Sequence, residues 1–342
     1  TSSEYIIFLD SDDFFEHSKS LEQKYFSNKF ADITLLSRRI PMRKEKQEIF
    51  EIQLLKLSKN NNTSIEVLLD LIIKLSIDLE CWGMIFSRSF IKEKSIKFYP
   101  ARVGEDAMFM LDYLTMANNW NYLTNLKVIK SAGFGVSTSI GGEIRDDYTQ
   151  ALYKASKLLN IQKIKLNQIR SRYVRYIIDK YLNHIALQHF YILIENLSQN
   201  NINLTNISNI KIEYPDIFHD GIIEKYYFDR IMQLTKNYFN FLRSLSYHDL
   251  SKGICIWFAS PITFVFCEAL LKVYKTKIFC IIDDNREGEY ITKKNGKVIP
   301  IINLKQAAQY SRKESLLILI ISKNNLLSEK VINRTKKTIK QS

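Results

Sequence analysis

The sequence predicts an α/β protein, and three observations carry the prediction. Short runs rich in Ile and Phe end abruptly in acidic residues near both ends of the chain: Tyr5-Ile-Ile-Phe-Leu9 runs into Asp10-Ser-Asp-Asp13, and Lys277-Ile-Phe-Cys-Ile-Ile282 into Asp283-Asp284. Such runs are the signature of strands buried in a sheet. Between them, residues 146 to about 250 keep helical spacing of their apolar positions. The composition is that of a folded chain, with 46% apolar and 25% charged residues, which excludes wholesale disorder. Only 10 Gly and 5 Pro occur, so collagen-like and low-complexity readings fall away. A length of 342 residues suggests two or three domains at roughly 100–200 residues each.

Taken in order, Tyr5–Leu9 reads as a strand of a parallel sheet, which needs neighbours on both sides. Nothing precedes it, so residues 1–145 are expected to be the later part of a domain whose first half is missing. Ala31–Leu36 is a second strand. Thr63-Ser-Ile-Glu66 has capping-box spacing, and helical periodicity follows from Ile65 to Leu79. Cys81–Phe86 and Ile96–Phe98 are short apolar segments before Gly104-Glu-Asp106. A strand is expected near Leu126–Ile129, and 131–142, rich in Gly, Ser and Thr, reads as loop. Residues 146–250 form a helical segment broken by an Asn-rich loop from Asn200 to Asn209. After Lys252-Gly253 comes a small α/β domain over 251–342. Its expected elements are strand Ile254–Phe258, helix Thr263–Val273, strand Lys277–Ile282, a hairpin turning at Asn295-Gly296, helix Leu304–Tyr310 and strand Leu316–Ile321.

The net charge is +13, from 49 Lys and Arg against 36 Asp and Glu. This favours an anionic partner, with the densest basic runs at Arg38–Lys46 and Lys330–Lys340. The four cysteines are not in CxxC pairs, which argues against a zinc or thioredoxin-like site. Three lie in apolar stretches and read as core, so a reducing cytoplasm is the expected compartment. The longest uncharged stretch, Gly253–Cys267, falls short of the roughly 18–20 residues of a spanning helix. The five histidines lack metal-ligand spacing, and His184 and His189 read as structural or surface residues of the helical segment.

Carboxylates at the carboxyl end of a buried strand sit where α/β folds bind ligands. Asp10 and Asp12 point the same way if strand geometry continues, and Asp13 adds a further oxygen donor. Hard oxygen ligands suit Mg²⁺ or Mn²⁺, and through it a diphosphate. The alternative is a solvated acidic turn capping a helix. Haloacid-dehalogenase-type phosphatases place an aspartate nucleophile and an acid two residues later, as Asp10 and Asp12 stand here. They want Thr or Val next, however, and Asp13-Phe14-Phe15 follows.

Residues 5–14, Tyr-Ile-Ile-Phe-Leu-Asp-Ser-Asp-Asp-Phe, more closely resemble the strand and DxD motif of family 2 glycosyltransferases. Cys81-Trp-Gly-Met-Ile-Phe-Ser-Arg-Ser-Phe90 resembles that family's next block. Ile96-Lys-Phe98 with Gly104-Glu-Asp-Ala-Met-Phe109 resembles the block carrying its catalytic base. The resemblance covers about residues 1–145, with the blocks in the family's order. It implies a partial GT-A-type mixed sheet and an inverting, metal-dependent transfer from a nucleotide-sugar donor to a glycan or lipid-linked acceptor. Under it Asp12, Asp10 and Asp13 hold Mn²⁺ or Mg²⁺. Asp106 is the general base with Glu105 beside it, Trp82 stacks on a sugar, and Arg145 contacts the diphosphate. Trp82 also reads as core, Arg145 as surface, and Glu105-Asp106 as an acidic helix N-terminus. The family's donor-binding strands precede its DxD strand and are absent here, as in a truncated piece or in a natural variant that has lost donor binding, so little or no transfer is expected from these residues alone.

Residues 252–325 resemble small Rossmann-like domains of some bacterial sugar-modifying proteins, through Ile254–Phe258, Phe279-Cys-Ile-Ile-Asp-Asp-Asn285 and Gly296-Lys-Val-Ile-Pro300. Their Gly-rich phosphate turn is replaced by Phe258-Ala-Ser-Pro261, which favours packing or partner contact over nucleotide binding. The expected setting is bacterial surface polysaccharide assembly, capsule or lipooligosaccharide, with peripheral contact at the inner membrane face and no nucleic acid. A non-catalytic interaction module with relic motifs and a phosphatase are the alternatives.

Overall fold

The computed structural model describes residues 3–9, 13–16, 31–39, 44–77, 80–129, 142–161, 166–199, 225–244, 253–257, 261–274, 276–283, 290–292, 298–314 and 317–320. The chain forms two compact α/β units. One comprises 1–139 with 146–184, the other 140–145 with 185–342.

The first unit is built on a mixed five-stranded sheet. Its strands are β1 (Tyr5–Ile7), β2 (Phe14–Glu16), β3 (Ile33–Arg39), β4 (Met84–Ser87) and β5 (Trp120–Ile129), in the order β1-β4-β3-β5-β2. Only β3 and β5 pair in parallel; the other three ladders are antiparallel. This corrects the expectation for the opening strand. β1 is half-buried at the end of the sheet order and antiparallel to β4, with Tyr5 opposite Ser87 and Ile7 opposite Ile85. An apolar run reads the same whether a strand lies inside a parallel sheet or is covered on both faces. β1 is covered: Tyr5 and Ile7 pack on Leu36, Trp82 and Val128, and Phe8 joins a cluster of rings.

Helices α1 (Lys44–Lys59), α2 (Ile65–Leu75), α3 (Arg88–Glu93) and α4 (Glu105–Met116) connect these strands. α1 buries Phe50 and Leu54 and packs on α2, β3 and β5. The expected capping box is shifted by one residue. Ser64, not Thr63, caps α2 by accepting the Glu66 N–H, while the Thr63 carbonyl accepts the Trp120 N–H at 2.9 Å. The helical middle consists of α5 (Gly142–Ile161), α6 (Gln168–Gln199) and α7 (Lys225–Ser244), and it contributes to both units. In the first, Arg170 reaches from α6 to the carbonyls of Thr115 and Ala117 at the end of α4, both at 2.7 Å, and pairs with Glu66 at 2.9 Å. These bonds satisfy helix-end acceptors that would otherwise need water.

In the second unit β6 (Ile254–Trp257), β7 (Ile278–Ile282), β8 (Tyr290–Thr292), β9 (Val298–Ile302) and β10 (Leu317–Ile320) take the order β10-β6-β7-β9-β8. All ladders are parallel except the β8–β9 hairpin, whose register sets Ile291 opposite Ile299. α8 (Pro261–Tyr274) and α9 (Leu304–Glu314) lie between its strands in the chain. The chain crosses from β9 through α9 to the far side of β6, so the strand order reverses at β6 as in doubly wound sheets. The strands and helices expected here are present, within a few residues; the expected turn at Asn295-Gly296 lies outside the described residues. All four cysteines are buried, and Cys255 and Cys280 face each other in register on β6 and β7 with their sulfurs 3.1 Å apart. Of the expected loop at 131–142 only Gly142, which opens α5, is described; the expected loops at 200–209 and 258–260 and the basic tail lie outside the described residues. Among the described residues, no helix is long and apolar enough to cross a membrane.

Candidate active site at the end of the first strand

The three sequence blocks singled out in residues 5–109 meet in one place. Each contributes rings to a single aromatic cluster. Phe8, just after β1, lies 5.5 Å from Phe86 of β4, 5.0 Å from Phe98 and 5.4 Å from Phe109 of α4. Phe98 stacks on Phe109 at 4.5 Å, and Phe86 meets Phe109 edge-on at 5.3 Å. Edge-to-face and offset contacts of this kind add roughly 0.5–1.5 kcal/mol per pair beyond area burial. The cluster fixes the start of α4 relative to the end of β1. A bridge between Phe8 and Trp82 brings the 81–82 segment to the same point.

Glu105 and Asp106 open α4, whose N-cap is Gly104 at φ +81°. A carboxylate pair in a first helical turn meets the positive end of the helix dipole. The two side chains have different neighbours. The Cys81 thiol donates to Asp106 Oδ1 at 2.9 Å. Glu105 acts on the tyrosines of α5 and α6: burial, and after it the Glu105 charge, pushes the Tyr148 hydroxyl up to about 12. The Tyr181 hydroxyl is raised too, first by burial and in small part by the same carboxylate. The two adjacent acids therefore have different surroundings: Asp106 faces the 81–82 segment, and Glu105 faces the helical layer.

Trp82 is 1% exposed, so of its two readings the core one holds here. No ring face is open to a sugar. The Arg38 guanidinium lies 5.2 Å from its centroid, and its Nε1 donates to Glu80. Arg38, the first residue of one of the dense basic runs, is itself buried, at 4% exposure. Burial lowers its pKa, against the opposing pull of Glu80 and then Glu51. Glu51 of α1 in turn accepts the Arg38 backbone N–H at 2.7 Å, the Ser37 hydroxyl at 3.1 Å and the Gln47 amide at 3.1 Å. Gly83, at φ +70°, allows this packing. A Cβ there would stand 3.0 Å from Arg38 Cδ, in a backbone conformation other residues resist.

Asp10 and Asp12 lie outside the described residues. Asp13 is buried directly before β2, so a strand and not a capped helix follows the acidic run. Among the described residues no group of three His, Cys, Asp or Glu side chains is assembled for a metal; two of the three expected ligands are not among them. The donor set itself, three carboxylates without Cys or His, is the hard-oxygen chemistry that suits Mg²⁺ or Mn²⁺. Arg145 belongs to the second unit, near the start of α5. There its charge, after burial, helps lower the pKa of His189 to about 4.

Arg38, Glu51, Glu80 and Cys81 escaped the sequence reading as members of this site. A signal for Arg38 existed: extending the strand from Leu36 by two residues puts it on the same face as Leu36, which packs on Trp82. No family model matches the chain, and no curated protein matches it.

Proposed function

We propose that the first unit is part of a GT-A-type glycosyltransferase of inverting, metal-dependent mechanism. On this reading it moves a sugar from a nucleotide-sugar donor to a glycan or lipid-linked acceptor in bacterial surface polysaccharide assembly, at the cytoplasmic membrane face. The observation that supports it is convergence. Three blocks separated by up to a hundred residues, each resembling that family, share one ring cluster, and Cys81 of one block donates to Asp106 of another.

In the proposed reaction Asp106 takes the proton of the acceptor hydroxyl as its oxygen attacks the anomeric carbon. The glycosyl–phosphate bond breaks on the opposite face, and the nucleoside diphosphate leaves. Asp12 and Asp10, with Asp13, would hold Mn²⁺ or Mg²⁺. The bound ion supplies charge neutralisation at the leaving diphosphate. The second unit serves packing or partner contact.

Calorimetric titration of nucleotide sugars in Mn²⁺, followed by transfer or donor-hydrolysis assays, tests the proposal. Asp12→Asn is expected to abolish metal-dependent donor binding. Asp106→Asn is expected to leave donor binding intact and to lower turnover on the order of 10²–10⁴-fold. Donor binding indifferent to Mn²⁺ and to Asp12→Asn would sink the reading. Phosphatase turnover lost on Asp10→Asn would replace it.

A further inference from the structure

The outward face of α1 is the unexplained surface of the first unit. The helix buries Gln47, Phe50 and Leu54, yet Ile49, Ile52 and Leu55 stand on its other side at 46%, 53% and 37% exposure. Their spacing of three residues keeps them on one face of a helix. Lys56 and Lys59 lie on that same face and are exposed, with Glu48 as its acidic member. Isolated exposed aliphatics are ordinary. Three in a row beside two lysines form a stripe.

We infer that this face docks on an anionic lipid surface, with Ile49, Ile52 and Leu55 entering the headgroup boundary and Lys56 and Lys59 meeting lipid phosphates. Two arguments choose this occupant. Three aliphatic residues exposed at 37% to 53% fall far short of the roughly 20–30 residues and roughly 800 Å² per partner that a stable dimer buries. The charge is complementary: a net +13 chain is drawn to an anionic leaflet, and the stripe's lysines lie where their stems follow the apolar residues while their ammonium groups stay in the headgroup layer. The inference stands on α1 and the net charge of the chain, and it holds whether or not the first unit transfers sugars.

Sedimentation of the full chain with unilamellar vesicles tests it. Vesicles of phosphatidylcholine containing phosphatidylglycerol are expected to bind the protein at least tenfold more tightly than pure phosphatidylcholine, and binding should weaken with salt. The Ile49→Ser/Ile52→Ser/Leu55→Ser variant is expected to lose at least tenfold in partitioning. Lys56→Gln/Lys59→Gln should lose several-fold and show a shallower salt dependence. Circular dichroism melts check that both variants stay folded. If neither vesicle binds the wild type at low salt, or if the triple variant binds as the wild type does, the inference is wrong. It is also overturned if sedimentation velocity shows a dimer that the triple variant dissolves, because a second copy then covers the stripe.

Discussion

Replacing Arg38 by Met tests whether the charged cluster beneath Trp82 is a structural keystone of the first unit. Met keeps the length of the stem and removes the guanidinium. Taking one partner from a directly paired buried ion pair costs about 3–5 kcal/mol; Arg38 meets Glu80 and Glu51 as neighbouring charges, so that range is a ceiling. Here the lower end applies. Glu51 keeps three hydrogen bonds, from the residue-38 N–H, Ser37 and Gln47, and Glu80 keeps the Trp82 indole N–H. The expected loss is about 3 kcal/mol, or roughly 6–12 °C in melting temperature at about 2–4 °C per kcal/mol for a unit of this size. Urea unfolding followed by far-ultraviolet circular dichroism measures it. The Arg38→Met/Glu80→Gln double variant removes the stranded carboxylate charge as well, and is expected to recover at least about 1 kcal/mol. A single-variant loss below about 1 kcal/mol, or strictly additive losses in the double variant, would refute the reasoning by showing that water already solvates the guanidinium.

Two further outcomes follow from the same structure. If Cys81 positions Asp106, Cys81→Ala should lower kcat on the order of tenfold at unchanged donor KM, and Cys81→Ser, which restores a donor, should recover most of it. Equal losses for Ala and Ser would assign Cys81 to packing alone. His189 is 2% exposed, and neither ring nitrogen has a hydrogen-bond partner among the described residues. Its pKa falls to about 4 when folded, against about 6.5 when unfolded. The unfolded chain therefore binds the proton first as pH drops. Stability present above pH 6.5 should fall by about 1.4 kcal/mol per unit until about pH 4. His189→Leu should flatten that slope, and an unchanged slope in denaturant titrations would show that the imidazole protonates freely in the folded state.

The second unit was legible element by element because its strands read as apolar runs punctuated by polar turns, and the central pair β6 and β7 is buried on both faces. The first unit was legible in its blocks and less so in its topology. A run such as Tyr5–Leu9 carries no information about the direction of its neighbours, so the antiparallel β1–β4 ladder could not be read from it. α1 went unread for a different reason. Its inward residues Phe50 and Leu54 and its outward residues Ile49, Ile52 and Leu55 together blur the single-face periodicity that marks an ordinary surface helix. The charged pair at 105–106 was found, but spacing could not say that consecutive helical residues, turned about 100° apart, address different neighbours. Arg38 was read only as part of a dense basic run, because the carboxylates whose charges act on it, Glu80 and Glu51, come from other elements.

The burial of every cysteine makes the thiols clocks of local opening. A buried thiol reacts only when the structure around it opens, so its modification rate reports the free energy of that opening rather than the chemistry of the reagent. Cys81 reports on the base of α4 in the first unit, and Cys255, Cys267 and Cys280 on the sheet of the second. One labelling time course, resolved by peptide mass, therefore reads two stabilities from one unmodified chain. It would tell whether the halves breathe independently or as one body.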